Sequence, residues 1–197
     1  MTLARRSNPE LLRAFLRCLL AVFVLLGGGS CKRREPEFRE ARDRLRTELA
    51  RIERLPDDER AQAVWKLWLE FADDRTVPDV IYEEPLAQEL AKTGDAGLEV
   101  LLEALEGPEP GTELARAHLW RFGEDAVAPL VAMLEGESEK MQLAALESLW
   151  LFVLHGMEAE EMEAVRKAVA PLLEAESPTI REWASIVLED ISAYGSE

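Results

Sequence analysis

From Pro36 onward the apolar and polar positions follow a helical period almost without a break. "PEFREARDRLRTELARIERL" sets Phe38, Leu45, Leu49 and Ile52 in a mostly charged segment, a narrow stripe that predicts a partly buried helix. "LPDDERAQAVWKLWLEFADD" carries more apolar bulk, in Val64, Trp65, Trp68, Leu69 and Phe71. Pro56 stands where a helix starts, because a missing N–H has no intrahelical partner there. Asp57, Asp58 and Glu59 then face the positive end of the helix dipole. Residues 73 to 85, with Pro78 and Pro85, interrupt the pattern. No alternating stretch is long enough for a useful strand, so the fold class is all-α.

Two segments then repeat without a gap at an offset of 29, "GDAGLEVLLEAL" (94 to 105) and "GEDAVAPLVAML" (123 to 134). Leu98, Leu101, Leu102 and Leu105 match Val127, Leu130, Val131 and Leu134, each set spaced i, i+3, i+4, i+7 on one helical face. The core of this motif returns at an offset of 42, where "AVAPLV" (126 to 131) becomes "AVAPLL" (168 to 173). Partner segments repeat as well, "EKMQLAALESLW" (139 to 150) against "PTIREWASIVLE" (178 to 189), matching Met141, Ala145 and Leu149 to Ile180, Ala184 and Leu188. Ser177 before Pro178 is a helix-start signal. "TELARAHLWRF" (112 to 122) needs a one-residue gap to align, and residues 157 to 166 look like an extra helical turn or two.

The "VAPL" pair with Pro129 and Pro171, and the "IR-x-x-A-x-x-x-L" run from Ile180 and Arg181, resemble HEAT-type repeats over residues 94 to 193. Gln142 stands where that family favours arginine. The resemblance implies helical hairpins stacked into an α-α superhelix, with residues 56 to 93 a helical cap or a divergent repeat. One hairpin cannot bury its apolar face alone, so Leu98 to Leu105, Val127 to Leu134 and Val169 to Leu173 are expected to line a continuous core. Trp120, Trp150 and Trp183, about one per repeat, are expected to pack there too, the alternative being aromatic anchors exposed for a partner.

Charge changes the picture. The 197 residues carry a formal net charge of −16, unevenly spread. Residues 1 to 30 and 31 to 55 are each net +3, whereas residues 56 to 197 hold ten basic against thirty-two acidic groups. That acidic body excludes the electrostatic footprint of a nucleic-acid binder.

The basic beginning contains "CLLAVFVLLGGGSCKRRE". Its apolar run from Cys18 to Leu26 is nine residues, against the roughly 20 a spanning helix needs. A basic start, a short apolar run and small residues before a cleavage point describe a secretory signal. Gly28, Gly29, Ser30 and Cys31 resemble a bacterial lipobox, with Gly28 where an aliphatic residue is usual. The resemblance implies a signal peptide over 1–30 and lipid attachment at Cys31, beginning a basic helical linker over 31–55. It places the body in the bacterial cell envelope, facing the periplasm. Lys32 after the cysteine favours the outer membrane over the inner. Lys32, Arg33 and Arg34 then lie beside anionic headgroups or form a solvated linker. With Cys18 removed and Cys31 acylated, no thiol or disulfide is left to the mature chain.

Catalytic chemistry is scarce. His118 and His155 lie 37 residues apart without metal-ligand spacing. "HGME" offers His155 and Glu158, but Gly156 is expected to end the helix between them. There is no G-x-S-x-G, phosphate-binding glycine loop or calcium loop. Glu158, Glu160, Glu161 and Glu163 crowd the start of a predicted helix, where the dipole suits them. No catalytic, cofactor-binding or metal residue is therefore assigned, and Cys31 is the one site residue. The expected function is a membrane-anchored, non-enzymatic scaffold for a protein partner, the acidic body favouring a basic one. The alternative, by fold analogy alone, is an enzyme accessory or a handler of tetrapyrrole-type small molecules.

Overall fold

The computed structural model describes residues 31–194, and every regular element among them is helical. The leader read over residues 1–30 lies outside the described residues. Two units divide at Arg44 and Leu45, within helix α1 (Cys31–Ile52). The backbone of α1 is helical already from Cys31, ahead of Pro36. The second unit, from Leu45, holds the end of α1 and all the remaining elements.

Of the narrow stripe on α1, Leu45 and Ile52 are buried while Phe38 and Leu49 are half-buried, as a partly buried helix requires. Helix α2 (Asp57–Asp73) starts after Pro56 with Asp57, Asp58 and Glu59 in its first turn. Its buried stripe is Ala61, Val64, Leu67, Trp68 and Phe71, while Trp65 and Leu69 stay half-buried. The chain breaks at Asp74, whose carboxylate accepts from the Thr76 amide at 3.1 Å and its hydroxyl at 2.6 Å. That local turn competes with another helical turn. A 3₁₀ turn comes next over Asp79–Ile81, and helix α3 spans Glu83–Ala91. Pro85 therefore sits inside the first turn of α3 rather than in the break, where its missing donor is tolerated.

Helices α4 (Asp95–Ala104) and α6 (Glu124–Leu134) carry the repeat at offset 29. Each opens on a glycine of the same conformation, Gly94 at φ 57°, ψ −130° and Gly123 at φ 58°, ψ −143°. That region strains a side chain, so glycine is the natural residue at both joints. Burial repeats too: Leu98, Leu101 and Leu105 are buried like Val127, Leu130 and Leu134, and Leu102 is half-buried like Val131. Helix α5 (Gly111–His118), with a 3₁₀ extension over Leu119–Phe122, joins them. Helices α7 (Glu139–His155), α8 (Ala159–Val169) and α9 (Pro178–Tyr194) complete the described chain.

The third copy departs from the expected register. Val169 is buried, but Leu172 is half-buried and Leu173 is 41% exposed. Residues 157 to 166, read as an inserted turn or two, instead supply most of α8. "APLLE" falls beyond the end of that helix, in a 3₁₀ turn over Ala170–Glu174 with Pro171 at its start. Pro129, by contrast, lies inside α6. The tryptophans depart as well. Trp120, Trp150 and Trp183 are half-buried, and the fully buried indole is Trp68. Trp150 keeps its indole N–H on the surface side, donating to Asp190 at 2.7 Å, with Trp183 edge-on at 5.8 Å.

Neighbouring helices pack in sequence. α2 lies on α3 and α4, α4 on α5, α5 and α6 on α7, α6 on α8, and α7 and α8 on α9. The partner helices share a further device. Ser138 and Ser177 each cap a helix start, accepting from the Met141 and Ile180 amides. Four residues on from each serine, a side chain captures carbonyls of the preceding loop. Gln142 donates to the Leu134 and Gly136 oxygens at 3.0 and 2.8 Å, and Arg181 to those of Ala175 and Glu176 at 2.6 and 2.8 Å. Thr112, in the first turn of α5, does the same for Gly107 at 2.7 Å. These bonds satisfy acceptors that a helix end leaves open.

Candidate functional site

An open groove of about 780 Å³ runs between α6 and α8. From α6 it takes Glu124, Val127, Ala128 and Val131, one face at i, i+3, i+4, i+7. From the start of α8 it takes Glu158 to Glu161 and Ala164. Val127 is buried and Val131 half-buried, so the floor is apolar, and Ala128, Ala159 and Ala164 are exposed small residues along it. Glu124, Glu158, Glu160 and Glu161 supply the acidic rim.

The four carboxylates are not equivalent. Glu158 precedes α8 and accepts from the Glu161 amide, while the Glu161 carboxylate accepts from the Glu158 amide at 2.9 Å. This capping box ties both side chains to the helix start. Among the described residues neither Glu124 nor Glu160 has a cationic partner. The groove can therefore offer free negative charge above an apolar floor.

A second polar cluster centres on His118, whose two ring nitrogens are both paired. His118 is 7% exposed, against the Trp68 ring at 4.8 Å. Its Nδ1 accepts from Arg121 Nε at 3.3 Å, which places the ring proton on Nε2, 2.9 Å from Glu83 Oε1. Arg121 also donates to Glu84. Burial lowers the His118 pKa below the usual histidine value, with the Glu83 carboxylate opposing it. The Glu84 carboxyl is held below its ordinary value by the Gln88 amide first, and by Arg121. Tyr82 is pushed up by burial and by the bond its hydroxyl donates to Asp79 at 2.7 Å. The His118–Glu83 and Arg121–Glu84 bonds clamp α3 to the end of α5, a structural role.

His155 and Glu158 are separated. His155 ends α7, its exposed ring stacked on Trp120 at 3.7 Å, and Gly156 turns at φ 95° before Glu158 joins its capping box. Glu163 lies outside the groove lining and pairs with Arg166 at 3.4 Å. Among the described residues no group of three or more His, Cys, Asp or Glu is placed to hold a metal ion. Nor is any helix there long and apolar enough to cross a membrane. Cys31 is the first residue of α1.

Sequence reasoning missed Glu124 and the three alanines. A signal existed in the difference between copies: at offset 29, Ala128 replaces Glu99, which clears one helical face of bulk. No protein-family model, curated protein or solved structure matches this chain.

Proposed function

We propose that this protein is a lipid-anchored scaffold of the bacterial cell envelope, binding a basic protein partner on HEAT-like helical hairpins arranged as an α-α superhelix. The single observation that carries the reading is the α6–α8 groove, apolar along its floor and carboxylate-rimmed above. Further support comes from the shared Gly94 and Gly123 conformation, the matching burial of the two copies, and the recurring carbonyl capture by Gln142 and Arg181. The lipobox-like "GGSC" supports attachment through Cys31, a periplasm-facing body and the outer membrane as the favoured address. The role is non-enzymatic. The tetrapyrrole-handling alternative gains nothing from the groove, since four carboxylates would repel a ligand that itself bears carboxylates.

The full chain, produced in a bacterial host and solubilised in mild detergent, is the bait for affinity capture at low and high salt. A stoichiometric partner held at low salt and released at high salt is the expected result. Absence of a partner at either salt, or a coloured small ligand co-purifying instead, refutes the scaffold. A Cys31→Ala chain that is processed and fractionates like wild type refutes the anchor.

A further inference from the structure

We infer that the α6–α8 groove takes an amphipathic helix of a partner protein, its apolar ridge on Val127, Val131 and the alanines and its Lys or Arg side chains against Glu124 and Glu160. This rests on the scaffold reading and names its site and the form of its ligand. Two observations carry it. The groove is walled by two helices, one presenting a face at i, i+3, i+4, i+7, which is the surface that accepts a third helix ridge-into-groove. Small residues at 128, 159 and 164 let a helix backbone approach closely, and no aromatic side chain lines the groove as in a typical small-molecule pocket.

Charge chooses the occupant. The two untethered carboxylates lack cationic partners among the described residues, so a ligand bearing Lys or Arg completes two ion pairs while burying its apolar face. The eleven residues of α6 extend about 16 Å, matching a helical ligand of about three turns. Recognition of this kind reads apolar anchors on one face and basic residues on its flanks. The body of a second copy, residues 56 to 197, is a poor occupant, because it is strongly acidic and like charges would meet.

The test uses the full chain in mild detergent and a fluorescent synthetic Leu/Lys helical peptide of about four turns. Its control is the same peptide with Glu in place of Lys. Saturable binding of the Lys peptide alone is expected, read by anisotropy. The double variant Glu124→Gln/Glu160→Gln should bind about 3- to 10-fold more weakly, each exposed pair being worth little by itself. Ala164→Arg, at an exposed position, should weaken binding about tenfold or more, with helical content by circular dichroism unchanged. Glu158 and Glu161 stay intact, because their capping box supports α8.

Equal binding of the acidic peptide, or wild-type affinity in Ala164→Arg, overturns the inference. So does a small lipophilic cation that binds as tightly as the peptide. Concentration-dependent self-association that Ala164→Arg abolishes also overturns it, by naming a second copy as occupant. If a partner is captured from cells yet Ala164→Arg leaves that capture intact, the groove assignment fails and the scaffold survives. If nothing basic binds at all, both fail.

Discussion

Gly97→Ala puts two energetic terms in opposition, and the structure decides between them. Position 97 lies in α4, where replacing glycine by alanine ordinarily gains about 1 kcal/mol of helix propensity. Here an added Cβ would meet the Leu90 carbonyl oxygen at 2.4 Å, Thr93 Oγ1 at 2.5 Å and Phe122 Cζ at 3.1 Å. The Thr93 hydroxyl is itself committed, donating to Leu90 O at 2.6 Å, so the obstruction is partly backbone and cannot be relieved by a rotamer alone. Overpacking of this kind costs about 1–3 kcal/mol, and contact with backbone puts it near the top of that range. Less the propensity gain, the net cost is about 2 kcal/mol, a fall of about 4–8 °C in the melting midpoint for a chain of this size. Thermal unfolding followed by far-UV circular dichroism measures it. The repeat supplies a control, since Ala126 occupies the matching place in α6 and is fully buried without distress. A Gly97→Ala/Thr93→Ala chain should recover part of the loss by removing one of the three obstructions. If Gly97→Ala melts higher than wild type, the close approach of α4 to the end of α3 is wrong.

Leu130→Ala should cost about 2–5 kcal/mol in a denaturant titration, as a fully buried leucine. Leu172→Ala, its counterpart at offset 42 but half-buried, should cost about 1 kcal/mol; equal losses would restore the third copy to the core. Gln142→Ala should lose about 1–2 kcal/mol with its two carbonyl bonds, whereas Gln142→Arg should stay within about 0.5 kcal/mol of wild type, as Arg181 shows the longer donor can serve. Because the folded-state pKa of His118 lies below the unfolded value of about 6.5, the unfolded chain binds more protons in the interval between the two. Stability should therefore fall as pH drops below about 6.5 towards the folded pKa, and His118→Gln should remove this step from melting curves taken across that range. Glu84, also lowered, contributes stability that is lost further down, as pH falls below the ordinary carboxyl value, so His118→Gln leaves that second step in place.

The helical class and the faces of α4 and α6 were legible because both depend on local period, and Leu98, Leu101 and Leu105 are buried where the spacing put them. The third copy was misread for a reason local pattern cannot supply. "AVAPLL" matches "AVAPLV" residue for residue up to its last position, yet the match carries no information about where the preceding helix began. α8 starts at Ala159, so the shared motif falls at its end instead of its middle. The indoles fail similarly. Apolar bulk predicted Trp120, Trp150 and Trp183 in the core, yet the fully buried indole is Trp68, whose N–H has no hydrogen-bond partner among the described residues. Trp120 donates to the Ala117 carbonyl at 2.9 Å and Trp150 to Asp190, and both rings are half-buried. The clamp at His118 was invisible because Glu83 and Arg121 reach it from positions 35 residues before and three after.

The acidic rim shows where local and tertiary causes part. A helix dipole favours a carboxylate in the first turn by about 0.3–1 kcal/mol, and this sufficed to explain the run from Glu158 to Glu163 as a helix start. The capping box justifies that explanation for Glu158 and Glu161, each of which holds a backbone amide. Glu160, in the same first turn, and Glu124, in the first turn of α6, hold no amide in this way among the described residues and answer to the dipole alone. Their convergence comes from the packing of α6 on α8, which brings residues 36 positions apart to one surface. Each dipole places one carboxylate, and neither supplies a cationic partner for the two at the groove among the described residues. On the proposed reading, a cationic ligand at that surface pairs both carboxylates.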